Sequence, residues 1–153
     1  MRHYHRMVIY FDGASKYNPK GPAGCGWVIY QMNKNGGDCN KIARGRRYLG
    51  YNISNNQAEY KGLEAALDYV IESGITCDGL YIRGDSQIVI NQLDGLYKVR
   101  SPKIVSYNMA CVLKLQQVNK TFVKYTHVIR NRNRVADALA NDAIANESNA
   151  TFV

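Results

Sequence analysis

No C-x-x-C pair occurs in this chain. Its four cysteines, at positions 25, 39, 77 and 111, stand far apart, which excludes a zinc ribbon and a thioredoxin-like motif and leaves reduced thiols as the expectation. No apolar run approaches the roughly 18 residues that a membrane-spanning helix needs. The opening MRHYHRMVIYFD has too short an apolar stretch for a secretory signal. The expectation is therefore a soluble intracellular protein, cytoplasmic or nuclear, neither secreted nor bound to membrane. Internal repeats and low-complexity tracts are also missing, so solenoids and disordered assemblies are excluded. Acidic residues are scarce: 12 Asp and Glu face 20 Lys and Arg, a formal net charge of +8 over 153 residues. Such an excess points to an acidic partner such as nucleic acid. The positive charge gathers in KIARGRR (Lys41 to Arg47), KVRSPK (Lys98 to Lys103) and RNRNR (Arg130 to Arg134). Each cluster on its own reads equally well as a solvated surface.

What is present suits one domain, long enough to bury a core without disulfides or structural metal. MVIYFDG (Met7 to Gly13), GWVIYQM (Gly26 to Met32) and IARGRRYLG (Ile42 to Gly50) read as strands from their β-branched and aromatic content, with Gly-rich turns between them. SNNQAEYKGLEAALDYVIES (Ser54 to Ser73) is helical by apolar spacing. GLYIRGDS (Gly79 to Ser86) is a fourth strand running into the helix SQIVINQLDG, KIVSYNMACVLKLQQ is a third helix, TFVKYTHV a fifth strand and RVADALANDAIANE a last helix. The order βββαβααβα predicts an α/β fold: a five-stranded mixed sheet, its first three strands antiparallel, with helices on both faces. Residues 1–6 are expected to form a flexible arm, 7–147 the domain and 148–153 a tail.

One residue of the first helix is out of place. Leu63, Ala66, Leu67, Val70 and Ile71 mark the face turned to the core, and Glu59 lies four residues before Leu63 on that face. A desolvated carboxylate needs a partner or a raised pKa. Capping is the bland explanation, with Asn55 or Asn56 as N-cap and Glu59 favouring the helix dipole. Three more acids change the balance. Asp12 ends the first strand and Asp85 the fourth, so if those strands are parallel neighbours both emerge at one edge of the sheet. Asp137, in the first turn of the last helix, sits at the margin of a stripe centred on Leu139. Four acids meeting there would repel one another unless divalent cations intervene. Carboxylate oxygens suit Mg²⁺ or Mn²⁺, and a pair of such ions is a device for displacement at phosphorus.

These residues resemble type 1 ribonuclease H, the nucleases that cut the RNA strand of RNA/DNA hybrids. The likeness runs from about Met7 to Asn146. FDGASKYNP is similar to the first-strand signature with Asp12, SNNQAEY to the first-helix signature with Glu59, GDSQ to the fourth-strand signature with Asp85, and VIRNRNRVADALAN to the final-helix signature with Asp137. The resemblance implies a ribonuclease H-like fold and a metal-dependent endoribonuclease acting on RNA/DNA hybrid. It implies two Mg²⁺ or Mn²⁺ ions held by the four acids, and products with 3′-hydroxyl and 5′-phosphate ends. It also places Asn18, Ser54, Asn55, Asn56 and Gln57 against substrate backbone or ribose 2′-hydroxyls. His127, ten residues before Asp137, matches a mobile histidine of some members; Arg130, seven before it, matches an arginine that serves instead in a second subgroup.

The chain departs from the family pattern in three places. Lys20 lengthens the loop after the first strand by one residue, the stretch from Asp85 to Lys103 leaves no room for a basic helical protrusion, and about six residues precede the first strand, too few for a separate hybrid-binding domain. A monomer with no obligate protein partner is expected. Two rivals remain: another nuclease, either the ribonuclease H part of a reverse transcriptase or an enzyme that also attacks double-stranded RNA, and a non-catalytic nucleic-acid-binding module, which would be expected to lack at least one of the acids.

Overall fold

The computed structural model describes residues 2–153. In chain order its elements are β1 (His3–Ser15), β2 (Ala23–Met32), β3 (Asp38–Gly50), α1 (Asn55–Glu72), β4 (Thr76–Gly84), α2 (Gln87–Leu93), α3 (Pro102–Gln117), β5 (Phe122–His127), α4 (Arg134–Asn146) and β6 (Ala150–Phe152), with a 3₁₀ turn at Arg130–Arg132 before α4. The strands form one mixed sheet of order β5-β4-β1-β2-β3-β6. β1 pairs antiparallel with β2 and parallel with β4, while β5 pairs parallel with β4. Among the described residues no helix is long and apolar enough to cross a membrane.

Along β1 the side chains alternate. Met7, Ile9 and Phe11 join Leu63, Leu67 and Val70 of α1 in the main core, with Leu80 and Ile82 of β4 beside them. Val8, Tyr10 and Asp12 point to the other face, where α4 lays Ala136, Leu139, Ala140 and Ala143 over β2. The α/β class and the antiparallel first three strands agree with the sequence reading, but the sheet has six strands rather than five. The added β6 is three residues long, pairs with Arg44 to Arg46, and is gripped by the Arg44 guanidinium 5.1 Å above the Phe152 ring. At its other end β1 starts at His3, four residues before the expected Met7. His3 and His5 both hydrogen-bond Asp78 on β4, at 3.1 and 2.9 Å, and this polar cross-strand pairing extends the strand.

The start of α1 also differs from expectation. Its N-cap is Ser54, not Asn55 or Asn56: the Ser54 hydroxyl accepts from the Gln57 amide and the Gln57 side chain accepts from the Ser54 N–H. The capping box is therefore complete without Glu59. Asp85 is likewise free of cap duty, because Ser86 caps α2 by accepting from Val89 N–H at 3.3 Å.

Candidate active site

β1 and β4 are parallel neighbours in a register that sets Phe11 opposite Gly84. Asp12 and Asp85, the next residues, therefore stand side by side where the parallel ladder and β4 stop; contrary to the sequence expectation Asp12 does not end its strand, because β1 runs on to Ser15 paired with β2. β2 flanks β1 on the other side and runs antiparallel, so the acids stand where strand direction reverses. Glu59 reaches them from α1 because Gly13 lets the helix lie directly on the strand. A Cβ at Gly13 would come within 2.2 Å of the Ala58 carbonyl carbon and 2.3 Å of the Glu59 nitrogen. Gly26 serves α4 in the same way, since a Cβ there would stand 2.4 Å from the Ala136 carbonyl oxygen. That contact seats Asp137 one residue further on.

Asp12, Glu59 and Asp85 each bring a carboxylate oxygen into a group spanning no more than 4.8 Å. Asp12 and Glu59 are buried, and Asp85 is half-buried. Asp12 accepts from the Gly13 N–H at 2.9 Å, but Glu59 Oε2 is buried without any hydrogen-bond partner. Burial pushes the Asp12 carboxyl up to about 7, with the nearby Asp85 charge adding to it. Burial, and then Asp12, hold Glu59 well above its usual range. At 4.8 Å each pair of full charges would repel by about 3.5 kcal/mol at an effective dielectric near 20. An orphaned carboxylate oxygen beside two further carboxylates is a hard-cation donor set, and with no thiolate or imidazole in the group it fits Mg²⁺ or Mn²⁺.

Asp137 stands outside this close group but lines the same cleft, about 390 Å³ in volume, with Asn55, Asn56 and Arg130. Its Oδ1 is 3.7 Å from the Arg130 guanidinium and accepts from Asn141 at 3.3 Å. The other sequence-predicted residues divide into two sets. Ser54 and Gln57 are joined to each other in the cap, and Asn18 accepts from the Asn55 N–H at 2.9 Å, tying the β1–β2 loop to the head of α1. Asn55 in turn accepts from Ser15 N–H at 2.8 Å. His127 lies at the end of β5 with Nε2 3.1 Å from the Asp85 carbonyl oxygen, and it borders a neighbouring cleft rather than this one.

Asn133 was not singled out by the sequence, yet it is the polar residue most enclosed by the site, only 2% exposed. It occupies the N-cap position of α4, but its amide is diverted inward: Nδ2 donates to the Phe11 carbonyl at 2.9 Å and to Asp85 Oδ2 at 3.3 Å. Both partners are pure acceptors, so the amide nitrogen must face them. Its place four residues before Asp137, at the mouth of a helix, is the available signal, and the same place suits an ordinary cap. Asn133→Ala should weaken the binding of Mg²⁺ to the acid cluster by about tenfold, as expected on removing a group that orients one of its carboxylates. It should also cost about 1 kcal/mol of stability by removing the buried hydrogen bond to the Phe11 carbonyl. An unchanged metal titration would show that Asp85 is oriented without it.

This sheet order, with two acids where the β1–β4 ladder ends and a third on α1, defines a ribonuclease H-like domain. Residues 10–143 match the family described as reverse transcriptase-like. The chain is 40% identical over 139 residues to ribonuclease HI of Halobacterium salinarum, covering 91% of this chain and 64% of that protein. The crystal structure of that archaeon's enzyme superposes with a TM-score of 0.78 at 39% identity, over 92% of this chain and 98% of the solved one. Two further structures superpose with TM-scores of 0.79. One is the N-terminal ribonuclease H domain of a Mycobacterium tuberculosis protein, at 33% identity over 92% of this chain and 94% of that one. The other is the LC11 ribonuclease H in complex with an RNA/DNA hybrid, at 30% identity over 92% and 98%. The chain belongs to the type 1 ribonuclease H family. It spans 64% of the length of the Halobacterium protein and 35% of the full-length Mycobacterium bifunctional protein.

Proposed function

We propose that this chain hydrolyses the RNA strand of RNA/DNA hybrids, leaving 3′-hydroxyl and 5′-phosphate ends. The observation that carries the reading is the acid group in which Asp12, Glu59 and Asp85 each bring one carboxylate oxygen within 4.8 Å of the others, and in which the buried Glu59 Oε2 has no hydrogen-bond partner. In this reading Asp12, Glu59 and Asp85, with Asp137 at the rim, hold two Mg²⁺ or Mn²⁺ ions, which when bound lower the pKa of the attacking water and offset charge on the leaving oxygen. The water oxygen becomes part of the 5′-phosphate as the bond from phosphorus to the 3′ oxygen breaks, and that oxygen takes a proton.

The protein's own groups supply position and charge. Asn55 and Asn56 line the cleft, where amides can both donate to and accept from a ribose 2′-hydroxyl, the group that separates RNA from DNA. Ser54, Gln57 and Asn18 fix the backbone that presents those two residues, while none of the three lines the cleft itself. Arg130 faces the cleft beside Asp137 and brings positive charge to an incoming phosphate, so its position favours it over His127 for the role beside that acid. The test is cleavage of labelled RNA/DNA hybrid, duplex RNA and duplex DNA with Mg²⁺, with Mn²⁺ and with EDTA. Hybrid should be cut with either ion and spared in EDTA, and duplex DNA spared throughout. Intact hybrid with both ions would refute the reading.

A further inference from the structure

The RNRNR cluster is only partly absorbed by the cleft. Arg130 enters it, whereas Arg132 and Arg134 turn toward the sheet face that carries α4. α4 covers β2 with parts of β1 and β3 on that face. Past its edge lie side chains that pair across β1, β4 and β5 in register: Tyr10 with Arg83, Arg83 with Thr126, Tyr81 with Lys124 and Gly79 with Phe122. Phe122 is 46% exposed and sits 5.8 Å from the Tyr81 ring, while Lys124 and Thr126 are exposed outright. Arg83 donates to the Tyr10 hydroxyl at 2.8 Å and packs its guanidinium 5.6 Å from that ring. Two clefts share Tyr10 and Arg132: one of about 180 Å³ reaches Tyr30 and Arg134, and one of about 540 Å³ reaches Arg83, Thr126 and His127. The carboxylate facing this strip is Asp38, which already accepts from Tyr10 at 2.7 Å and pairs with Arg83 at 3.8 Å.

We infer that this uncovered part of the sheet is a platform for single-stranded nucleic acid, continuous with the active cleft through the Arg130–Arg132 turn. Aromatic rings interleaved with cations on an open sheet suit unpaired bases and a phosphate backbone. A duplex keeps its bases stacked within, and would present only phosphate to Phe122 and Tyr81. Lys124, Arg132 and Arg134 supply positive charge that Asp38 does not neutralise. The natural occupant is a single-stranded tail adjoining the hybrid, a statement that rests on the nuclease reading above. The rings and cations of this face engage base faces and phosphate, which RNA and DNA share, so an RNA tail and a DNA tail should bind alike.

The experiment has two arms. Fluorescence anisotropy of labelled 15-mers of oligothymidylate and oligouridylate, in EDTA at 50 mM salt, compares the unaltered protein with Phe122→Ala/Lys124→Glu; Lys124→Glu alone is the fallback if the double variant misfolds. Cleavage kinetics then compare a blunt hybrid with the same hybrid carrying a ten-nucleotide 3′ tail. The double variant should bind both oligonucleotides about tenfold more weakly and with a shallower salt dependence. It should lose the KM advantage of the tailed hybrid and keep the blunt-hybrid KM within about twofold. Unchanged oligonucleotide binding would overturn the inference. So would a parallel rise in blunt-hybrid KM, which would make the face part of the duplex site. Absence of oligonucleotide binding by the unaltered protein, with self-association in sedimentation, would assign the face to a second copy of the chain instead. A blunt hybrid left uncut by the unaltered protein would sink the nuclease reading alone, since the anisotropy arm contains no divalent ion.

Discussion

Asp12→Asn should reduce hybrid cleavage by on the order of a thousandfold with either Mg²⁺ or Mn²⁺, and at the same time make the metal-free protein more stable at pH 8. The first effect follows, on the proposed reading, from removing one of the charges that hold the ions, where loss of about 4 kcal/mol of transition-state stabilisation corresponds to that factor. The second follows from the sign of the shifts. Burial, reinforced by Asp85, raises the Asp12 carboxyl to about 7, and burial with Asp12 beside it raises Glu59. A folded pKa above the unfolded one means that the folded state holds the proton more tightly. The stability this contributes is complete below the unfolded value near 4 and is lost as pH rises through about 7. In EDTA the melting temperature of the unaltered protein should therefore fall between pH 5 and pH 8, and Mg²⁺ or Mn²⁺ added at pH 8 should recover it. The Asn variant should show a flatter profile and little response to the ion. A melting temperature in EDTA that is level across this range, or equal ion responses in both proteins, would show that the cluster is not held against repulsion.

This same repulsion explains why the site was legible before the structure. Glu59 could be noticed because the stripe from Leu63 to Ile71 is otherwise apolar, and a charge on such a stripe demands a cause. The alternative cause, capping, is removed by Ser54 and Gln57, whose reciprocal hydrogen bonds complete the box at the head of α1. Ser86 does the same for Asp85. Features that escaped the sequence are those whose partners lie far away in the chain and whose local pattern is mute. Asn133 goes unnoticed because its partners, Phe11 and Asp85, are 122 and 48 residues distant. β6 has three residues, too few to show alternation, and depends on the cation–π contact from Arg44. The first four residues of β1 include no aliphatic side chain and Tyr4 alone among them packs on the core, so their strand shows in the pairing with β4 and in the contacts of His3 and His5 with Asp78. Asp137 lies between these cases: periodicity put it at the margin of its helix stripe, and it stands at the margin of the cluster, facing Arg130.

Gly13→Ala should be the most damaging single methyl in the molecule. The added carbon would lie 2.2 Å from the Ala58 carbonyl carbon and 2.3 Å from the Glu59 nitrogen, both main-chain atoms inside a helix, so no side chain can rotate away to make room. Either β1 bends or α1 retreats. Overpacking of this kind costs about 1–3 kcal/mol and occasionally more, and contact with helix backbone puts this position at the upper end. A retreat of about 1 Å would also carry Glu59 away from Asp12 and Asp85, and a misplacement of that size costs about a hundredfold in rate. The expected result is thus a lowered melting temperature together with a kcat reduced about a hundredfold in the protein that remains folded. Gly36→Ala is the matched control: its φ of 85° strains any side chain, but nothing lies within 4 Å of the added carbon. That variant should lose about 1 kcal/mol and retain full kcat. If the two variants behave alike, the loss at Gly13 reflects backbone freedom rather than contact, and the close approach of α1 to β1 is not what assembles the three acids.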